Sequence, residues 1–521
     1  MEESARRRAG FDSATMQAIL RRGLGASARR PQRGAVAGPL NIGGMQSVAA
    51  ALDRLGELAA SPTVAMLAAA FESAGHELAL VGGPVRDAFL GRGTNDLDFT
   101  TDADPDEILA IVKPIAQAHW DIGRAFGTIG AKIAGETVEI TTYRADSYDG
   151  DSRKPEVVFG SSLEHDLTRR DFTVNALALR LPQLALVDPS GGVEDLLART
   201  LRTPAAPEQS FGDDPLRMLR AARFSAQLGF EVEGGTRAAM TELAPEIDRI
   251  SAERVRDELS KLLLTAAPRG GIRLLVDSGL ADRVLPEIPA LRLEVDEHHH
   301  HKDVYEHSLT VLDQAIDYEV SRGILDSPDL VVRLAALLHD IGKPATRRLE
   351  PGGAVSFHHH DAVGAKLARK RLRALRFDND TIAAVSRLIE LHLRFFGYAD
   401  AAWTDSAVRR YVRDAGDQLE RLHILTRADV TTRNRRKADR LGFAYDDLEE
   451  RIAVLAEEEE LAAVRPELDG QQIMALLDVK PGPIVGEAYR YLLEVRLDEG
   501  PIGPDAAAER LREWWAARGP A

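Results

Sequence analysis

The segment LVGGPVRDAFLGRGTNDLDFTT (80–101) constrains this chain more than any other. The apolar run Leu78 to Val81 reads as a strand and ends in a Gly-Gly turn. A short helical stretch follows, then a second short strand carrying Asp96 and Asp98. Side chains two apart on a strand share a face, so the two carboxylates converge. Paired hard oxygen donors suit Mg²⁺ when a triphosphate supplies the remaining oxygens. Gly82 and Gly83 allow close backbone approach and offer N–H groups to phosphate, with Arg86 nearby as a charge-assisted donor. A surface turn with solvated acids explains an Asp-x-Asp alone. It does not explain the Gly-Gly-x-x-Arg-Asp ahead of it.

At 521 residues the chain exceeds one core, and length predicts roughly three to four domains. With no cysteine there is no disulfide scaffold, Cys-based zinc site or thiol nucleophile, which fits a cytoplasmic enzyme. No apolar run approaches the length of a membrane span, so no membrane association is expected. The charge balance, 66 − 82 = −16, excludes indiscriminate nucleic-acid binding over the whole surface, so RNA contacts must come from local basic patches. Residues 1–45 form a basic arm, with eight arginines up to Arg33 against Glu2, Glu3 and Asp12. It lacks the apolar core of a signal peptide. Its composition is shared with transit peptides, but a disordered arm, or an extension ahead of a start at Met45, is the preferred reading.

From Val64 to Arg202 short apolar strands alternate with helices, which predicts a mixed α/β domain at 62–203. We expect a helix over Asp104–Trp120, strands near Gly127–Ile133 and Thr137–Arg144, and a helix over Asp171–Leu179. From Pro204 strand signals vanish and helical periodicity takes over, with helices at Pro215–Leu228, Ala252–Leu264 and Arg269–Ser278. The expected divisions are a helical block at 204–290, a histidine-rich helical block at 291–442 and an acidic helical tail at 443–521.

The strand TVEITTYR (137–144) alternates, so Glu139 faces the same way as Thr137 and Thr141. A third carboxylate beside Asp96 and Asp98 would complete a two-metal site, in which one ion activates a 3′-hydroxyl and the other steadies the triphosphate. In FGDDPLRMLRAARFSAQLGF (211–230), Pro215 suits a first helical turn with Asp213 and Asp214 at its start. Arg217, Arg220 and Arg223 then fall in line on one face. A capped amphipathic helix accounts for the acids but not for that row of arginines.

Five motifs occur in order: GGPVRDAFLGRGTNDLDFTT, RRDFTVNALAL, DPSGGVEDLLARTLRT, DDPLRMLRAARF and SAERVRDELSKLL. Over roughly residues 62–290 the chain resembles the class II tRNA nucleotidyltransferases, the CCA-adding enzymes, and the related bacterial poly(A) polymerases. The resemblance implies an α+β fold: a polymerase-β-like nucleotidyltransferase head, then an all-α neck, body and tail. It implies that Asp96 and Asp98 carry Mg²⁺, that Gly82, Gly83 and Arg86 hold the triphosphate, and that Arg170, Asp171 and Asn175 meet the sugar side. Asp214 and Arg217 match the pair that acts as a protein template for the base, with Arg220 beside them in the nucleotide site. Cytosine and adenine each present an amine donor beside a ring-nitrogen acceptor. An Asp that only accepts and an Arg that only donates therefore suit C and A and reject U and G. One departure is Asp213, where the family usually has Glu; this concerns a supporting residue and not the template pair.

The histidine-rich block reads YEHS (305–308), LLHDIGKP (337–344), FHHHDAVGA (357–365), LIELHLRF (388–395) and RADVTTRN (427–434). It resembles the HD phosphohydrolase superfamily, a resemblance that implies His307, His339, Asp340 and Asp429 as metal ligands. His360 and His392 match the extra histidines of two-metal members. Mixed imidazole and carboxylate donors suit a divalent transition metal. The run His298–His301 is left out of the site, because four adjacent histidines cannot all face one ion.

The leading expectation is a template-independent enzyme that adds C, C and A to tRNA from CTP and ATP, with HD phosphohydrolase activity besides and no obligate protein partner. A poly(A) polymerase is the alternative within the class. That enzyme usually ends in a basic extension, whereas this chain ends acidic. A phosphohydrolase whose head only binds RNA is the alternative of another class, and intact Asp96, Asp98, Asp214 and Arg217 count against it.

Overall fold

The computed structural model describes residues 44–518, apart from 94–95, 122, 148–155, 160–161, 294–302, 324–327, 352–354, 401–402, 432–433 and 460–464. The basic arm, bar its last two positions, and the His298–His301 run lie outside the described residues. The chain packs as two compact units, 1–250 with 277–280, and 251–276 with 281–521.

The first unit is built on strands β1 (Leu78–Val81), β2 (Leu97–Thr101), β3 (Ala118–Trp120), β4 (Thr128–Ile133), β5 (Glu136–Thr142), β6 (Arg144–Ser147), β7 (Glu156–Phe159), β8 (Ala178–Leu181) and β9 (Ala185–Val187). Seven of them form one mixed sheet in the order β3-β4-β5-β2-β1-β8-β9, while β6 and β7 pair as a separate hairpin. Strands β2 and β5 run parallel and the other neighbours in the large sheet antiparallel. Central β1 is buried on both faces. On β5 the buried Val138, Ile140 and Thr142 alternate with Thr137, Glu139 and Thr141, as the period of two requires. Helix Gly44–Ala59 packs on helix Gly83–Leu90, so the unit begins ahead of residue 62.

Two expected helices are shorter than their apolar content implies. Within Asp104–Trp120 the helix covers only Pro105–Val112. Asp104 and Glu107 cap its start reciprocally, and Pro114, which has no N–H to extend the ladder, follows its end. The remainder turns back as edge strand β3. Asp171–Leu179 is a short 3₁₀ turn, Thr173–Asn175, that leads into β8. The Asp171 carboxylate accepts from the Phe172 N–H at 2.8 Å and from the Asn175 amide at 3.0 Å, local bonds that compete with a helix. After Pro204, short strands persist: Glu231–Val232, which pairs with Thr200–Leu201 from ahead of Pro204, and Arg348–Leu349 with Val355–Ser356. Two-residue strands carry no readable periodicity.

The second unit is helical. Helices Val304–Arg322, Leu330–Leu338, His360–Ala374, Asn379–Leu391 and Leu419–Ala428 pack around the histidine motifs. Helix Arg435–Glu459 runs unbroken through residue 443, so the acidic tail begins as a change of composition within one helix. Helices Gly470–Leu477, Pro483–Glu499 and Pro504–Ala516 close a small core of Ile473, Leu492 and Leu511. Among the described residues no helix is long and apolar enough to cross a membrane.

Candidate active sites

Register places the first site. Asp98 on β2 stands directly opposite Glu139 on β5. Asp96 lies just ahead of β2, exposed. Burial, then the charge on Glu139, raises the Asp98 carboxyl above its ordinary range; Arg170 pulls it back and Asp96 adds to the rise. Three carboxylates and one arginine thus share a single field. A divalent cation with a preference for oxygen would relieve that repulsion, so the donor set fits Mg²⁺.

The Gly-Gly turn works differently from expectation at Gly82. Its N–H is taken by the Leu177 carbonyl at 3.1 Å, so what Gly82 contributes is shape. Its φ of 70° lies in the left-handed region, and a Cβ there would stand 3.2 Å from Arg170 Nη1. Gly83 opens helix Gly83–Leu90, which carries Arg86.

Arg86 is buried and heads a continuous polar chain. It donates to Asn175 Oδ1 at 2.7 Å and grips Asp87 with Nε and Nη2 at 2.9 and 3.0 Å. Asn175 passes the chain to Asp171, which also receives Arg220 Nε at 2.8 Å and Nη2 at 2.6 Å. Burial alone would raise Asp171. Arg220 and the hydrogen bonds outweigh it and hold the carboxyl down at about 2. The Phe224 ring lies under this chain, with the guanidinium carbons of Arg86 and Arg220 each 5.5 Å from its centroid.

The row of arginines is therefore not a solvated stripe. Arg217 donates to Ser210 Oγ at 2.8 Å and to the Arg169 carbonyl at 2.6 Å. Arg220 holds Asp171, and Arg223 lies 4.0 Å over the Phe224 ring and donates to Gln227. Asp213 ends helix Pro207–Asp213. Asp214 follows it, and its side chain accepts the Leu216 N–H at 3.2 Å at the start of helix Leu216–Leu228. Arg170 reaches Asp166 at 3.3 Å. Sequence reasoning missed Asp87, Asp166, Ser210 and Phe224. Asp87 was readable as the acid after Arg86; the others meet their partners only through the fold.

The second unit gathers all six expected ligands. His307 sits in helix Val304–Arg322, while His339, His360, His392 and Asp429 occupy helix ends. Two groups of three could each hold an ion: His307, His339 and Asp429, and Asp340, His360 and His392. Asp340 spans both, with Oδ2 3.2 Å from His339 Nε2 and Oδ1 3.3 Å from His360 Nε2. His307 Nε2 lies 2.9 Å from Asp429 Oδ1. In each of His339, His360 and His392, Nδ1 meets the carbonyl three residues earlier, at 2.9, 2.8 and 2.6 Å. His307 Nδ1 meets Thr431 Oγ1 at 3.0 Å. Such bonds fix the tautomer and leave Nε2 facing inward, as metal-ligating histidines require. His392 Nε2 is buried without a hydrogen-bond partner, and burial, with His339 behind it, pushes the ring down to about 4, neutral and able to ligate. Burial would lower His339 as well, but Asp340 and Asp429 outweigh it and lift the ring to about 10: the carboxylates draw positive charge inward. A Cβ on Gly342 would lie 2.1 Å from the His360 carbonyl, so only glycine lets the His-Asp loop approach that helix. The donor set fits divalent transition metals.

Fold and sites together define a polymerase-β-like nucleotidyltransferase joined to a helical bundle with an HD-type cluster. Residues 78–202 match the poly A polymerase head domain, 229–291 the probable RNA and SrmB-binding site of polymerase A, and 304–434 the HD domain. The A-adding tRNA nucleotidyltransferase of Deinococcus radiodurans is 36% identical over 451 residues, covering 85% of this chain and 96% of the relative. The CC-adding tRNA nucleotidyltransferase of Thermus thermophilus is 33% identical over 447 residues, covering 84% and 93%. The crystal structure of the Bacillus stearothermophilus CCA-adding enzyme in complex with CTP superposes with a TM-score of 0.62 at 25% identity, covering 87% of this chain and 97% of that one. The chain belongs to the tRNA nucleotidyltransferase family, whose enzymes depend on metal.

Proposed function

We propose that this enzyme adds C, C and A to the 3′ end of tRNA, taking CTP and ATP and releasing pyrophosphate. The observation that carries the reading is Asp98 facing Glu139 across the parallel β2–β5 pair, with Asp96 in the same field. The 3′-hydroxyl of tRNA attacks the α-phosphate, and the bond to pyrophosphate breaks. Asp96, Asp98 and Glu139 would hold Mg²⁺, which when bound neutralises triphosphate charge and eases ionisation of the hydroxyl. Gly82 and Gly83 give the phosphates close approach to the backbone, and Arg86 and Arg170 supply positive charge. Asp171, Asn175 and Arg220 keep Arg86 in place from the sugar side. Asp214 and Arg217 read the base.

In the second unit, His307, His339, Asp340, His360, His392 and Asp429 would hold one or two transition-metal ions and support phosphoester hydrolysis. We assign the head to 62–203 together with the helix Gly44–Ala59 that packs on it, the neck and body to 204–290, the HD-type domain to 291–442 and the tail to 443–521, in a cytoplasmic enzyme. The test is incorporation of labelled CTP into tRNA lacking its last three nucleotides, by wild type and by Asp98→Ala. Wild type adds two residues and the variant adds none. Equal incorporation by both would remove the carboxylate site from the mechanism.

A further inference from the structure

Helix His360–Ala374 starts at a ligand of the HD-type cluster and then becomes strongly basic: after Asp361 it has no acid, and it carries Lys366, Arg369, Lys370, Arg371 and Arg373. Arg371 turns inward, where Glu287 receives it at 2.9 and 3.0 Å. The other four are exposed and form no ion pair among the described residues. They stand three and four apart on one helix face, so they crowd one another with like charge, which opposes helix formation. The C-terminal end of the helix dipole accounts for Arg373 but not for Lys366, Arg369 and Lys370, which lie further back. Beside them, an open groove of about 360 Å³ runs between this helix and Asn379–Leu391, bordered by Arg369, Arg373, Asn379, Arg387 and Glu390. Its one acid, Glu390, is already engaged by Arg387 Nη1 at 3.3 Å, and Arg387 also donates to the Asp414 carbonyl. Arg369 and Arg373 thus face the groove unopposed, in a chain of net charge −16.

We propose that this groove and the basic face beside it form a binding surface for the phosphate backbone of RNA, with Arg369 and Arg373 as its anchors and Lys366 and Lys370 as flanking charges. The proposal rests on the reading that the substrate is tRNA, a polyanion that an acidic protein can hold only through local patches of this kind. Contacts to phosphate carry no sequence information, so the surface adds affinity and orientation and leaves base choice to the head.

The experiment measures the dissociation constant of the full chain for tRNA as a function of salt, for wild type, R369A/R373A, the charge reversal R369E/R373E, and K480E, a reversal at an exposed lysine elsewhere. Circular dichroism and melting temperature establish that each variant is folded. Removing two phosphate contacts is expected to make the slope of log Kd against log salt shallower by about two and to weaken binding about tenfold near physiological salt. The reversal weakens it further, and K480E does not change it. Unchanged Kd and slope in both arginine variants would overturn the proposal and leave the patch a solvated face. So would arginine-dependent binding to phosphatidylserine vesicles without any to RNA. If wild type binds tRNA through these arginines yet adds no nucleotide, the surface stands and the transferase reading fails.

Discussion

Asp171→Asn tests the polar chain that holds Arg86. The carboxylate accepts four hydrogen bonds, from Phe172, Asn175 and twice from Arg220, and is buried. Asparagine keeps the shape but loses the charge, and its amide confronts donors with a donor whichever way it turns. The fall of the carboxyl from 3.8 to about 2 corresponds to about 2–3 kcal/mol of folded-state stabilisation. The Arg220 side chain is 34% exposed, and solvent screening reduces this to about 2 kcal/mol. Because the folded carboxyl titrates below the unfolded one, the stabilisation is complete above about pH 5 and is lost as pH falls from 4 through 2. A chain of several domains does not unfold in one step, so the assay is hydrogen exchange of peptides spanning 171–181 and 216–224. At pH 7 the variant should exchange about thirtyfold faster there, the equivalent of about 2 kcal/mol. The KM for CTP should rise with it as Arg86 loses its support. The difference between variant and wild type should shrink below pH 4. Equal exchange at pH 7, or a difference that persists unchanged at pH 3, would refute the assignment of Asp171 as the charged anchor.

Two further substitutions separate the sites. Arg217→Ala removes the donor we propose reads the base, so discrimination against UTP and GTP should fall by at least tenfold while the KM for triphosphate changes less; competition among labelled nucleotides measures it, and unchanged discrimination would place the template elsewhere. His339→Ala combined with Asp340→Ala removes one candidate ligand from the first group and the carboxylate that lies between both. Bound transition metal, measured by mass spectrometry, and phosphoester hydrolysis should both vanish, while CTP incorporation persists.

The sites were more legible in the sequence than the path of the chain between them. Asp96 and Asp98 betray themselves by spacing, and the alternation in β5 orients Glu139 without any knowledge of its partner strand. That Glu139 pairs with Asp98 depends on a parallel crossover of more than thirty residues, which no local pattern encodes. The histidine motifs were readable because histidine is a rare residue type, and the fold brings the six residues they name together. Their second partners, backbone carbonyls and Thr431, leave no sequence trace. Asp104–Trp120 and Asp171–Leu179 misled for opposite reasons. In the first, a helix through Trp120 overlooks Pro114, which stops the ladder after Val112. In the second, Asp171 and Asn175 four apart look like one helical face, whereas they bond to each other and free Ala178–Leu181 to pair with β1. The arginines after Pro215 showed that something must oppose them, but Ser210, Asp171 and Phe224 come from the fold.

The most direct test supplies tRNA lacking its last three nucleotides with all four nucleoside triphosphates and Mg²⁺, then sequences the 3′ ends. The expected product carries C, C and A in that order and then stops, with U and G absent. A run of adenosines, a product that ends at CC, or no extension by folded protein would contradict it.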